Sequence, residues 1–183
     1  RKNKNIGLLI KAYAQLLENK TIEETTQLLV VGSAGPETEP LRELIASLSL
    51  KKKVVFLSAL TDGELCWLYK HCRLFVIASS TEGFCLPLVE ALFWGAKVVC
   101  SRIPIFEEVG SSSCTYFELE DTPIANLAAA ITHTLNSPPL RTSAVRSDLL
   151  KGNVAQKLVT FYTSVDDLAT AKASTRVSKR SVH

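Results

Sequence analysis

The chain has 183 residues, 46% hydrophobic and 21% charged, with a formal net charge of +3. That is one domain of ordinary size, apolar enough to pack a core, and too weakly basic to argue for nucleic acid. Wholesale disorder is excluded by the same balance, a membrane span by the lack of any apolar run near the roughly 18–20 residues it needs.

No secretory signal opens the chain. It contains no Met at all, so position 1 is expected to lie inside a longer natural sequence. Cys66, Cys72, Cys85, Cys100 and Cys114 form no CxxC pair, and no His sits at ligand spacing. A zinc site and a disulfide scaffold are therefore not expected. Reduced thiols in a cytoplasmic protein are the simplest account.

Ile6, Leu9, Ile10, Tyr13, Leu16 and Leu17 recur at helical spacing, which predicts an amphipathic helix over 6–19. "QLLVVG" (27–32) reads as a buried strand ended by glycine. "EPLRELIASLSL" (39–50) reads as a helix and "KVVFLSA" (53–59) as a strand. Asp62 is the expected N-cap of a helix over 63–71. "LFVIAS" (74–79) is the next strand. Pro87 then suits the first turn of a helix and Gly95 its end. "KVVC" (97–100) and "CTYFEL" (114–119) read as strands. Thr122-Pro123 opens a helix to about 135. "SPP" (137–139) breaks the chain before two weaker helices, about 140–150 and 153–170. The end, 171–183, reads as a disordered basic tail, solvated or weakly drawn to anionic lipid.

Alternating apolar strands and helices predict an α/β fold, a doubly wound Rossmann-like parallel sheet covered on both sides. The chain opens on a helix, without the first strand that such a topology places mid-sheet. Residues 1–150 are the expected folded domain and 151–170 a C-terminal helix.

Ligands of open α/β sheets bind at the carboxyl ends of the strands. Four loops qualify: "GSAGPET" (32–38), "SALTD" (58–62), "SSTEGFCLP" (79–87) and "SRIPIFEEVG" (101–110). The third is the richest. It meets a helix N-terminus, where backbone N–H groups and the dipole suit a phosphate. Gly83 permits close approach of a ligand. Glu90, one turn into the helix, could accept from both hydroxyls of a ribose, and Glu82 could face a sugar. Each glutamate alone could equally be a solvated charge.

The complete string "EGFCLPLVEA" (82–91) resembles the E-x7-E signature of retaining GT-B glycosyltransferases of the glycogen-synthase and mannosyltransferase type (group 1, family 4). "KNIGLLIKAYAQL", "LLVVGSAGPE", "VVFLSALTDGELCWLYKHCRLFVIASSTEGF" and "AKVVCSRIPIFEEVG" are similar to that family's successive elements. The resemblance covers about residues 2–135. It implies the C-terminal half of a GT-B fold, the donor-binding domain, in a hexosyltransferase using a UDP- or GDP-sugar with retention and no metal or other cofactor. It leans toward mannosyl transfer in polysaccharide biosynthesis, in the cytoplasm or peripherally at an inner membrane face. The acceptor, a saccharide or a lipid-linked one, would be met through an N-terminal domain that this stretch does not include.

The resemblance also assigns roles. Glu90 matches the glutamate on the donor's ribose, and Glu82 the one beside the donor sugar. Gly83, Phe84, Cys85 and Leu86 match positions whose backbone amides hold sugar hydroxyls and diphosphate. Lys4 matches the lysine that neutralises the leaving diphosphate, with Arg1 the candidate partner. Leu60 falls where members meet the base through the main chain. Gly32 and Ser79, each at the start of a strand-end loop, complete the donor-binding set.

Cys85 departs from the family, which has Gly there. If the position needs φ > 0, a Cys costs about 1 kcal/mol or more. If it does not, the side chain narrows the pocket. A thiol at a helix N-terminus is expected to be acidified and reactive.

Among the remaining residues, Trp67 and Trp94 are read as packing against the sheet rather than stacking on sugar. Glu107 and Glu108 either touch donor or face water. A non-catalytic nucleotide-sugar binding module is the alternative function. A dinucleotide-dependent oxidoreductase would need a G-x-G-x-x-G turn, which "GSAGPE" does not supply.

Overall fold

The computed structural model describes residues 2–138. Arg1, both predicted helices beyond 140 and the basic tail lie outside the described residues. A 3₁₀ turn, Lys2–Lys4, leads into α1 (Ile6–Glu18). β1 (Leu28–Val31), α2 (Thr38–Ser47), β2 (Val54–Leu57), α3 (Asp62–His71) and β3 (Phe75–Ile77) follow. The chain continues through α4 (Leu86–Phe93), β4 (Val98–Ser101), α5 (Pro104–Gly110), β5 (Cys114–Phe117) and α6 (Pro123–Asn136).

All strand pairings are parallel, as the alternation of elements requires. They form two pieces, β1–β2 and β3–β4–β5. Leu28 pairs with Val54, Phe75 with Val98, and Val98 in turn with Cys114. A doubly wound sheet ordered 3-2-1-4-5-6, taken without its strand 1, leaves these pairings. The expected single sheet is therefore interrupted, at the place where the opening strand would lie.

The period-2 alternation of strands sorts the core. Ile77, Val98 and Cys100 face one side and pack with Cys66 and Tyr69 of α3, Leu88 and Leu92 of α4, and Phe106 of α5. Ala78 and Val99 face the other side, against Leu9, Ala12 and Leu16 of α1 and Leu127 and Ile131 of α6. A third cluster joins Ile10, Tyr13 and Leu17 of α1 to Ile45, Val54 and, through partly buried contacts, Val30 and Phe56. One stripe of α1 thus serves the three-stranded piece and the neighbouring stripe the two-stranded piece. Each fully buried large side chain contributes roughly 1.5–3 kcal/mol, so this 13-residue helix is the main connection across the break. The opposite side of β1 is open: Leu29 is 39% and Val31 48% exposed.

Several local expectations change. The cap of α3 is Thr61, not Asp62. Its hydroxyl accepts from the Glu64 N–H while the Glu64 carboxylate accepts from the Thr61 N–H, a reciprocal capping box. "SRIPIFEEVG" is not all loop, because Pro104 starts a seven-residue helix that buries Phe106. Trp67 does not pack on the sheet. It is 59% exposed and stacks on His71 at 4.3 Å. Trp94 is buried, with the Lys70 ammonium 4.3 Å from its ring centre. Among the described residues, no helix is long and apolar enough to cross a membrane.

Candidate functional site

The richest expected loop is built as a junction of three segments. β3 ends at Ile77, α4 begins at Leu86, and the residues between are stitched to the start of the chain. Asn3 donates its side-chain amide to the Thr81 carbonyl at 3.0 Å, and its own carbonyl accepts from the Ser80 N–H at 2.8 Å. The Asn5 side-chain amide donates to the Ala78 carbonyl at 2.9 Å. Asn5 is also the N-cap of α1, with φ 49° and ψ 37°. Asn tolerates this left-handed conformation better than most residues. Lys4 is thereby held over the loop, and its ammonium donates to Glu82 Oε1. Two residues 78 positions apart in sequence thus form one charged pair.

Glu90 lies four residues into α4 and is only 8% exposed. A buried carboxylate is costly without partners. Tyr69 of α3 supplies one, its hydroxyl donating to Glu90 Oε2 at 2.9 Å. Ser79 is fully buried, and its hydroxyl has no hydrogen-bond partner. Its carbonyl accepts from the Ser101 hydroxyl of β4, which ties the loop's base to the adjacent strand.

Cys85 is the N-cap of α4, with φ 56° and ψ 68°. The backbone conformation is therefore one that glycine adopts freely and a cysteine does not. The side chain is 9% exposed and joins the core beside Leu88 and Cys100. Burial pushes its thiol pKa up, and the Glu82 and Glu90 charges add to the rise. The Leu88 N–H and the Lys4 ammonium oppose it. The expected acidified, reactive thiol is thus corrected: removal from water outweighs the helix terminus.

This geometry gives a stability prediction. Cys85→Ala drops the sulfur and keeps the left-handed backbone on a side chain. Cys85→Gly also drops Cβ but removes that conformational cost, about 1 kcal/mol or more. Urea denaturation is expected to find the glycine variant at least as stable as the alanine variant. An alanine variant more stable by over about 1 kcal/mol would contradict the strain.

Gly83, Phe84 and Leu86 surround Cys85 at the helix entrance, with Phe84 and Leu86 exposed. Gly32 and Leu60 lie just beyond the ends of β1 and β2, on the two-stranded piece. Glu107 is exposed and paired with Arg102, whose guanidinium also holds Glu118 at 2.6 Å. Arg1 lies outside the described residues. Among the described residues, no group of three or more His, Cys, Asp or Glu is arranged to hold a metal ion.

Sequence reasoning passed over Asn3, Asn5 and Tyr69. The signal for the asparagines was their alternation with lysines in "KNKN", immediately before an apolar helix. For Tyr69 there was none beyond helical spacing.

The sequence and the fold have counterparts. Residues 1–147 match the protein family described as glycosyl transferases group 1. The O-antigen chain mannosyltransferase RfbU of Salmonella typhimurium is 31% identical over 119 residues, 65% of this chain and 32% of RfbU. The chain thus spans about a third of that relative's length. The C-terminal domain of the group 1 family protein LpcC from Francisella tularensis superposes with a TM-score of 0.63 at 21% identity. The match covers 88% of this chain and 80% of that one. Anabaena HepE, solved with UDP and glucose, superposes with a TM-score of 0.63 at 23% identity, over 95% of this chain and 46% of its own. A family match across most of the chain, on a parallel α/β architecture shared with GT-B structures, places this chain in the group 1 glycosyl transferases.

Proposed function

We propose that this chain is the donor-binding domain of a retaining hexosyltransferase that takes its sugar from UDP or GDP. The observation that carries the reading is the Lys4–Glu82 pair standing beside the entrance to α4, with Glu90 buried one turn inside. The site offers a cation and helix-terminal amides for a departing diphosphate. It offers one carboxylate at the loop for a sugar and another within the helix for a ribose.

Transfer breaks the bond between the anomeric carbon and the diphosphate oxygen. It forms a bond from that carbon to the acceptor oxygen, whose proton would pass to the departing diphosphate oxygen. Lys4 would meet charge as it develops on the diphosphate, and no metal need be recruited. Glu82 would stabilise the cation-like anomeric centre. No residue here is given the part of a nucleophile. Ser79, buried with an unpartnered hydroxyl, lies beneath the loop and would help to shape it. The main chain at Gly32 and Leu60 would meet the nucleotide from the β1–β2 side, and Arg1 would assist Lys4. RfbU's mannosyltransferase name supports a mannosyl donor and polysaccharide synthesis, while HepE's UDP keeps the uridine donor in view. Reduced thiols fit a cytoplasmic setting, with peripheral contact at the inner membrane face as its companion. The acceptor would be bound by a further domain.

Cysteine in place of glycine at position 85 favours a second reading, a module that binds nucleotide sugar without turnover. Product formation by the full-length protein would remove it. For the donor site itself the test is a thermal-shift series with UDP, GDP, ADP and their hexose conjugates. One nucleoside diphosphate is expected to stabilise the protein, by about 2.7 kcal/mol at a hundredfold excess over its Kd. Stabilisation by NAD with none from any of these nucleotides would overturn the proposal.

A further inference from the structure

We infer that Tyr69 is a positioning residue for nucleotide recognition, acting through Glu90; the inference rests on the reading of Glu90 as the ribose-binding carboxylate. Both side chains are buried, and the phenol donates to Glu90 Oε2 at 2.9 Å. A hydrogen bond to a charged acceptor is worth about 1.5–3 kcal/mol, and in a water-poor setting it fixes direction as well as energy.

A glutamate has three side-chain torsions, so its carboxylate plane is free to turn unless something holds it. The carboxylate carries about four acceptor positions. Tyr69 occupies one, on Oε2, and so narrows the orientations open to the other oxygen. Two ribose hydroxyls on adjacent carbons make a near-planar pair, and a carboxylate serves both only when its plane is matched to theirs.

Tyr69 is itself well held. Its ring meets Phe75 of β3 edge-on, at 5.3 Å between centres and 77° between planes. Its helix, α3, is fixed at the start by the Thr61–Glu64 capping box. The hydroxyl therefore arrives from a different element, 21 residues from Glu90, with little freedom of its own.

Tyr69→Phe removes the hydroxyl and keeps the ring and its Phe75 contact. Calorimetric titration of the full-length protein with UDP, GDP and their 2′,3′-dideoxy forms reads the effect. The variant is expected to bind the ribose nucleotide about tenfold more weakly than wild type. It should bind the dideoxy nucleotide as wild type does, because no hydroxyls remain for Glu90 to meet. Unchanged affinity for the ribose nucleotide would overturn the inference and leave the donor-site reading standing. An equal loss on both nucleotides would also overturn it, since that is the mark of a loosened fold. Failure of wild type to bind either UDP or GDP would sink the donor-site reading, and this inference with it.

Discussion

Lys4→Ala in the full-length protein is expected to lower kcat by about 100- to 1,000-fold, the loss typical of removing one donor from a developing oxyanion. The donor KM should move far less. On the proposed mechanism, diphosphate charge at the bridging oxygen grows as the sugar departs, so the ammonium would contribute more in the transition state than in the bound donor. The pair with Glu82 sharpens this. Before the donor arrives, Lys4 already neutralises a half-buried carboxylate, and the Asn3 and Asn5 bonds hold its segment in place. Lys4→Arg keeps the charge but changes its shape, and should retain a substantial part of the activity. Steady-state kinetics on the three proteins separate these outcomes. A loss under tenfold for Lys4→Ala would remove the lysine from the chemistry.

Glu90→Gln is expected to weaken donor binding by about 100-fold, with smaller change in folding stability. The substitution retains one carbonyl oxygen, which can still accept from Tyr69. What it loses is the charge and the second acceptor, and an amide nitrogen cannot accept from a ribose hydroxyl. The one hydrogen bond lost to an ionised acceptor is worth about 1.5–3 kcal/mol, which sets the size of the loss. Glu90→Ala would cut deeper but would also leave the buried phenol without this acceptor, mixing binding with stability. Titration with the nucleoside diphosphate, beside a denaturation curve, distinguishes them. Glu90→Gln binding within threefold of wild type would end the ribose assignment.

The parts legible in the sequence were those governed by neighbours along the chain. β3 and β4 announce themselves as short apolar runs before glycine or turn residues, and α1 as a single apolar stripe. Pro87 marked the start of α4 for a local reason, the missing N–H of a first helical turn. The string from Glu82 to Glu90 was informative because its two acids and its glycine stand at fixed offsets in a strand–loop–helix setting.

The parts that escaped depend on distant partners or small energy differences. Asn3 and Asn5 matter because of carbonyls more than 70 residues away, which no local pattern encodes. α5 has seven residues, too few for periodicity to separate helix from loop. Thr61 displaced Asp62 as cap because Glu64 completes the reciprocal pair only from that register. The Cys85 thiol was misread because position at a helix terminus was visible and depth in the core was not. Tyr69 has the spacing of any inward-facing aromatic, and its bond to Glu90 joins positions 21 residues apart on different helices.

Helix α1 is a shared support for both pieces of the sheet. Gly32 and Leu60 ride on the two-stranded piece, whereas Glu82, Cys85 and Glu90 belong to the three-stranded one. Among the described residues, no ladder of backbone hydrogen bonds joins the two. Within residues 2–138 both pieces rest on one helix, the three-stranded one on Leu9, Ala12 and Leu16 and the two-stranded one on Ile10, Tyr13 and Leu17. A nucleotide sugar touching both pieces would act as a cross-brace between them. Loosening α1 would disturb how the two pieces meet such a ligand, so a substitution buried well away from it could weaken its binding.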